Sequence, residues 1–208
     1  MKRTTLSWTF VTTTIILANI LWFVTFYLSV STFWIKITIS ASLLAALSIL
    51  INPHRKGQLR IDTRSVLIGL ASAVILYVIF WAGREISSLI FPFAPHQIGG
   101  IYAKGEGAHM GIVFLLLFFI TGPSEEIYWR GYLQDSLMKR FGGRTGWLFA
   151  TVLYAGVHIW SFNFMLIGAA AVAGSFWGFM YWRLGNLVPV IVSHSVWSAF
   201  IFAVLPLS

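Results

Sequence analysis

Residues Ser65–Ile90 read SVLIGLASAVILYVIFWAGREISSLI, and no charged side chain appears between Ser65 and Arg84. A helix needs about 20 consecutive apolar residues to cross the hydrocarbon core of a bilayer, and this stretch supplies them. Its neighbours repeat the pattern. Apolar runs at Leu6–Val30, Phe33–Ile51, His109–Gln134, Gly146–Trp160, Phe162–Trp182 and Asn186–Leu205 are separated by charged or turn residues, and the fourth span carries a polar extension to Arg140. The sequence therefore predicts an all-α, polytopic transmembrane helix bundle of about seven spans, within the roughly six to eight that this length allows. A single membrane domain over 1–208 is expected, with three spans in 1–93.

Composition agrees. Hydrophobic residues make up 58% of the 208 positions and charged residues 10%, with a mean hydropathy of +0.84. Soluble domains carry about 25% charged residues, so this chain could not cover a water-facing surface. Met1-Lys2-Arg3 before an apolar run resembles a signal peptide, but Leu6–Val30 exceeds the roughly 7–15 residues of a signal core and lacks a small-x-small cleavage site. It reads as a retained first span. There is no cysteine, which removes disulfides, thiolate metal sites and cysteine nucleophiles.

The net charge of +8 does not point to nucleic acid, because the basic residues sit in short loops. Lys2, Arg3, Arg55, Lys56, Arg60, Arg64, Lys139, Arg140, Arg144 and Arg183, ten of fourteen, fall on one side of a seven-span topology. The positive-inside rule makes that side cytoplasmic. The expected protein is a multi-pass cell-membrane protein with a cytoplasmic N-terminus and an outside C-terminus. Small residues crowd the sixth span, where Gly174 and Gly178 form a small-xxx-small pair suited to close helix packing.

Ionisable groups in lipid cost several kcal/mol and need a partner or a role. The fourth span carries Gly122-Pro123-Ser124-Glu125-Glu126-Ile127-Tyr128-Trp129-Arg130-Gly131, the fifth Tyr154-Ala155-Gly156-Val157-His158, and the seventh Ser193-His194-Ser195-Val196-Trp197-Ser198. Glu126 and Arg130 lie four apart and can pair along one face. Glu125 points about 100° away and stays available as a general base. Pro123 is expected to bend the helix or begin a new segment beside it. At 1.5 Å per residue, Glu125 lies about 14 Å from the cytoplasmic end of its span, His158 about 18 Å and His194 about 12 Å from theirs. Three ionisable residues from three spans thus arrive at similar depth. Either histidine alone would suit a helix–helix hydrogen bond; the set points to chemistry.

These residues resemble the CPBP intramembrane proteases, which include the type II CAAX prenyl endopeptidases and bacteriocin-processing enzymes. The family pattern is Glu-Glu-x-x-x-Arg, an aromatic (usually Phe)-x-x-x-His, and His-x-x-x-Asn or a similar polar residue. Here it is matched by Glu125–Arg130, Tyr154–His158 and His194–Ser198, with supporting text at Arg130-Gly131-Tyr132-Leu133 and Leu184-Gly185-Asn186-Leu187-Val188-Pro189-Val190. The resemblance covers about 110–203 as a catalytic core, and the first hundred residues add only membrane character to it. It implies peptide-bond hydrolysis within the membrane. Glu125 and His158 would position and deprotonate water, His194 and Ser198 would donate to the oxyanion, and Glu126 and Arg130 would hold the helix and orient Glu125. Tyr154 stands for the usual Phe. Ser198 stands for Asn, and its shorter side chain is expected to leave the oxyanion contact weaker, water-mediated or absent.

No cofactor is expected, although Glu125, His158 and His194 could supply three ligands to zinc. HExxH, Gly-x-Gly-Asp and Gly-x-Ser-Gly motifs are absent, which removes the site-2, aspartyl and rhomboid chemistries. A non-catalytic membrane protein with a transport, immunity or regulatory role is the other reading. The expected partners are the lipid bilayer and a membrane-anchored or lipidated protein or peptide substrate.

Overall fold

The computed structural model describes residues 8–52 and 57–207. Leu6, where the first span was expected to begin, and Lys2, Arg3, Arg55 and Lys56 of the charge argument lie outside the described residues. Eight helices are seen there, and no strand: α1 Trp8–Phe26, α2 Phe33–Ile51, α3 Thr63–Ile90, α4 Ala94–Tyr102, α5 Met110–Phe141, α6 Gly143–Val157, α7 Phe164–Leu184 and α8 Leu187–Val204. Six of them, all but α4 and α6, are long and apolar enough to cross a membrane.

The fifth expected span is the short one. Helix α6 has 15 residues and continues as a tight turn, His158–Ser161. At 1.5 and 2.0 Å per residue the two together reach about 30 Å, the thickness of the hydrocarbon core. Its first turn abuts Met138 near the end of α5, and His158 packs on Phe26 at the end of α1. It therefore runs from one end of the bundle to the other. Gly142 makes the reversal before it, at φ 86°, a left-handed conformation that glycine adopts without steric cost.

One end of the bundle gathers the basic segments. Asn186 caps α8 by accepting from the Val188 N–H and also bonds the backbone of Arg60 through both side-chain atoms, at 3.0 and 2.9 Å. Asp62 caps α3 through the Ser65 N–H at 2.8 Å. Arg140 lies over the Trp8 ring at 4.8 Å, which brings the start of α1 to this same end. At the far end, α4 lies across the tops of α3 and α7. Gln97 accepts from the Met165 N–H and its carbonyl from Asn163 Nδ2. The outward faces of α1 to α3 expose Ile16, Ile20, Ile39, Val74 and Val78, each more than half exposed. In water so much contiguous apolar surface would be unfavourable; in a bilayer it is the solvated face.

Helix α5 is continuous but not uniform. Leu117–Thr121 and Trp129–Gln134 are π-helical, and Gly122–Tyr128 between them is α-helical. Pro123 has no N–H to give the preceding turn, and a new α segment starts around it as the sequence predicts. π turns re-aim side chains and recur at functional sites. Both carboxylates sit on the short α segment that these turns bracket.

Candidate active site

Among the described residues Glu126 is the most enclosed charge, with no solvent exposure. Its Oε1 accepts from Arg130 Nη1 at 2.7 Å and faces His194 Nδ1 at 2.7 Å. The i, i+4 spacing produces the first contact, and α8 brings the second. Arg130 also donates through Nη2 to the Gly174 carbonyl at 3.2 Å, and its guanidinium lies 4.6 Å from the Tyr154 ring centre and 5.5 Å from that of Trp177. Buried ion pairs of this kind cost more to break than they contribute to stability, so the network fixes the mutual placement of α5, α7 and α8.

His194 lies flat on Trp177, ring centres 3.9 Å apart at 17°. With Nδ1 committed to Glu126 and one face to Trp177, its orientation is set. The partner of Glu126 is thus His194 as well as Arg130, whereas the sequence expected this pair to orient Glu125.

Glu125 is held separately. Tyr154 Oη donates to its Oε2 at 2.9 Å. The Tyr154 carbonyl lies 2.8 Å from His158 Nδ1, while Trp22 Nε1 donates to His158 Nε2 at 3.3 Å. These partners assign His158 the tautomer with its proton on Nδ1. Tyr154 is therefore the hub: its hydroxyl reaches Glu125, its ring stacks on Arg130 and its backbone holds His158. Close approach of α7 makes this possible, because a Cβ on Gly174 would stand 2.7 Å from Tyr154 Cδ1. The Gly174/Gly178 pair serves packing, as its spacing predicts.

Tyr154, His158 and His194 line one side of a cavity of about 420 Å³ between α3, α4, α7 and α8. Its walls are apolar, from Phe80, Ile98, Ala169, Phe164, Trp197 and Phe202 among others, and Arg84 and Tyr102 stand toward the far end of the bundle. Glu125 does not line it and sits behind the Tyr154 hydroxyl. Residues 108–200 match the family model described as Type II CAAX prenyl endopeptidase Rce1-like. The match covers a little under half of the chain and makes this segment similar to that family.

No curated protein and no solved structure matches the chain. The Rce1-like segment holds every residue singled out in the sequence, from Glu125 to Ser198, and sits in a bundle of membrane-spanning helices. The chain is thus a multi-pass membrane protein whose site-bearing segment resembles a protease family.

Two features differ from expectation. Ser198 is buried, but its hydroxyl donates to the His194 carbonyl at 2.6 Å, and it does not line the cavity. A serine one turn past His194 reaches its own helix more easily than the site, so the oxyanion role expected of it has no free donor at this position. Trp22 was missed. It lies in the first helix, outside the Rce1-like segment, and nothing in an apolar run marks one tryptophan as a partner for a histidine 136 residues away. Helix α3 also builds the cavity, through Ile79, Phe80 and Gly83, so the first hundred residues contribute more than membrane character.

As placed, Glu125, His158 and His194 do not suit zinc. Both His158 nitrogens and one Glu125 oxygen are engaged within the protein. No group of three His, Asp or Glu side chains among the described residues is positioned to hold a metal.

Proposed function

We propose that this chain is an intramembrane glutamic endopeptidase that hydrolyses a peptide bond of a membrane-anchored or lipidated substrate. The supporting observation is the junction at Tyr154, which links Glu125 to the wall of an apolar cavity that His158 and His194 also line. An apolar cavity of this size suits an acyl, prenyl or transmembrane segment better than a soluble peptide.

In this mechanism Glu125 takes a proton from water as general base, with Tyr154 holding Oε2 and leaving Oε1 to the water. His158, with Nδ1 held by the Tyr154 carbonyl and Nε2 by Trp22, fixes the wall beside the water with its ring and does not bond the water itself. The water oxygen attacks the scissile carbonyl carbon, and the carbonyl electrons move to oxygen as a tetrahedral oxyanion. His194 donates to that oxyanion through Nε2. Because Nδ1 is committed to Glu126, this role requires an imidazolium. Glu126 then carries two cationic partners, and the charges of Glu125, Glu126, Arg130 and His194 sum to zero, which a low-dielectric site demands. Collapse of the intermediate passes the Glu125 proton to the leaving amine.

Orientation follows from charge. With the basic end in the cytoplasm, the N-terminus is cytoplasmic, the C-terminus lies outside, and the cavity faces the outer half of the cell membrane. Comparing the termini of membrane-anchored proteins in cells with and without this chain tests the processing role. The reading predicts substrates that keep their unprocessed ends when it is deleted; unchanged termini throughout would favour a transport or regulatory role.

A further inference from the structure

Past Val204 the chain leaves helix α8 and crosses to the opposite wall of the cavity. Leu205 is non-helical, at φ −138° and ψ 73°, and its N–H turns back to the Phe200 carbonyl at 2.8 Å. Its own carbonyl accepts from Tyr77 Oη of α3 at 3.1 Å. Pro206 has no N–H to place. The Leu207 N–H donates to Tyr102 Oη, on the last residue of α4, at 3.1 Å. Leu205–Leu207 therefore straps α8 to α3 and then to α4, and Leu207 joins Tyr102, Ile201 and Phe202 in the cavity wall. Tyr102 is fixed in turn by its ring contact with Phe202, centres 5.4 Å apart.

The strap is lightly held. Leu205 and Pro206 are exposed, and among the described residues two tyrosine hydroxyls make its hydrogen bonds to α3 and α4. Irregular backbone at membrane depth needs partners for its N–H and C=O groups, and these hydroxyls supply them. Segments with few buried contacts and few bonds open at low cost. Size decides what the closed form admits. One turn of α-helix, about 10 Å across and about 5.4 Å high, occupies roughly 420 Å³, which is the volume of the whole cavity. A single hydrocarbon or extended peptide chain fits that space. The several turns of a membrane-spanning helix do not, and Leu207 stands where they would have to pass between α3, α4 and the end of α8.

We propose that Leu205–Leu207 is an autoinhibitory strap that must leave Tyr77 and Tyr102 before a helical membrane-spanning segment can enter the cavity. This rests on the reading of the cavity as the seat of a substrate's apolar anchor. With the strap closed, the site accepts a single chain; with it open, the site accepts a helix. A helical occupant binds only the open form, so its affinity is reduced by the fraction of chains that are open. A single chain binds both forms alike. Removing one hydrogen bond from the closed form raises a small open fraction about fivefold.

The test uses the full chain carrying Glu125→Gln in phosphatidylcholine vesicles, so that turnover plays no part. Two dansyl-labelled probes are compared by energy transfer from the protein's tryptophans, at matched mole fractions in the bilayer: an S-hexadecyl-cysteine peptide and a helical leucine–alanine transmembrane peptide. Tyr77→Phe should tighten binding of the helical probe about fivefold, and Tyr77→Phe with Tyr102→Phe about 25-fold, since the two bonds are separate. Tyr77 does not line the cavity, so Tyr77→Phe should leave the hexadecyl probe within about twofold. Hydrogen exchange at the Leu207 N–H, read by mass spectrometry, should quicken with the helical probe and not with the hexadecyl one. Binding of the helical probe while Leu207 stays protected overturns the strap, as does an equal effect of Tyr77→Phe on both probes. So does failure of the double variant to bind the helical probe while it still binds the hexadecyl one. Failure of both probes to bind any form of the chain overturns the anchor reading itself. Cleavage by the unmodified chain is scored separately and bears on the protease reading alone.

Discussion

Replacing Gly174 by alanine tests whether the site depends on the close approach of α7 to Tyr154. The added Cβ would stand 2.7 Å from Tyr154 Cδ1, about 0.8 Å short of the 3.5 Å at which carbon atoms attract. The ring has little room to retreat. Trp129 and His158 stand edge-on to it, each with ring centres 5.1 Å away, and the Arg130 guanidinium covers its face at 4.6 Å. A retreat of that size would stretch the 2.9 Å bond from Tyr154 to Glu125 and shift the backbone that holds His158. Overpacking of this kind costs about 1–3 kcal/mol, and displacing a catalytic group by about 1 Å costs on the order of 100-fold in rate. We therefore expect Gly174→Ala to lower kcat about 100-fold in proteoliposomes and to destabilise the fold by about 2 kcal/mol in detergent titration. Gly178→Ala is the control. Its Cβ would meet Trp147 Cδ1 at 2.8 Å and Gln134 Oε1 at 2.9 Å, which has a similar packing cost away from Glu125. Turnover of Gly178→Ala should stay within about threefold of the unmodified chain, since nothing at the site shifts. Full turnover by Gly174→Ala, or equal losses in both variants, would refute the reasoning.

Three further outcomes follow from the same geometry. Ser198→Ala should leave kcat within about threefold of the unmodified chain, because the hydroxyl already bonds the backbone, whereas loss of a true oxyanion donor costs about 100-fold or more; a steady-state cleavage assay separates the two. Trp22→Phe keeps an aromatic ring but removes the donor to His158, and should lower kcat about tenfold with little change in KM, the worth of about one hydrogen bond. Glu126→Gln leaves Arg130 and His194 without their counter-charge, and should cost about 3 kcal/mol in unfolding titrations as well as activity.

Some of this was legible in the sequence and some was not, for physical reasons. Membrane spans announce themselves because a bilayer tolerates only long apolar runs, so α2 and α3 could be placed within a residue or two of their ends. The contact between Glu126 and Arg130 was legible because helix geometry places i and i+4 on one face. A fixed rise per residue turns position into height, which groups Glu125, His158 and His194 on paper; in the structure Tyr154 bonds Glu125 and His158, while His194 bonds Glu126 and lines the same cavity. What stayed hidden depends on tertiary contact. The sequence could not show that Glu126 holds His194, that Trp22 reaches His158, or that α3 and α4 wall the cavity. Nor could it separate a serine aimed into the site from one bonded to its own helix, because Ser198 has the right number and the wrong direction. Helix α6 was placed almost correctly, but its completion by a tight turn at His158 has no composition signal.

The central claim is that Glu125 activates water for peptide hydrolysis inside the membrane. The direct measurement is cleavage of a farnesylated or membrane-anchored peptide by the purified chain in proteoliposomes, with products identified by mass spectrometry, for the unmodified chain and for Glu125→Gln. The account predicts defined cleavage by the former and a loss of at least about a thousandfold in the latter, with folding intact and with activity unaffected by strong chelators. Equal cleavage by both proteins would contradict it.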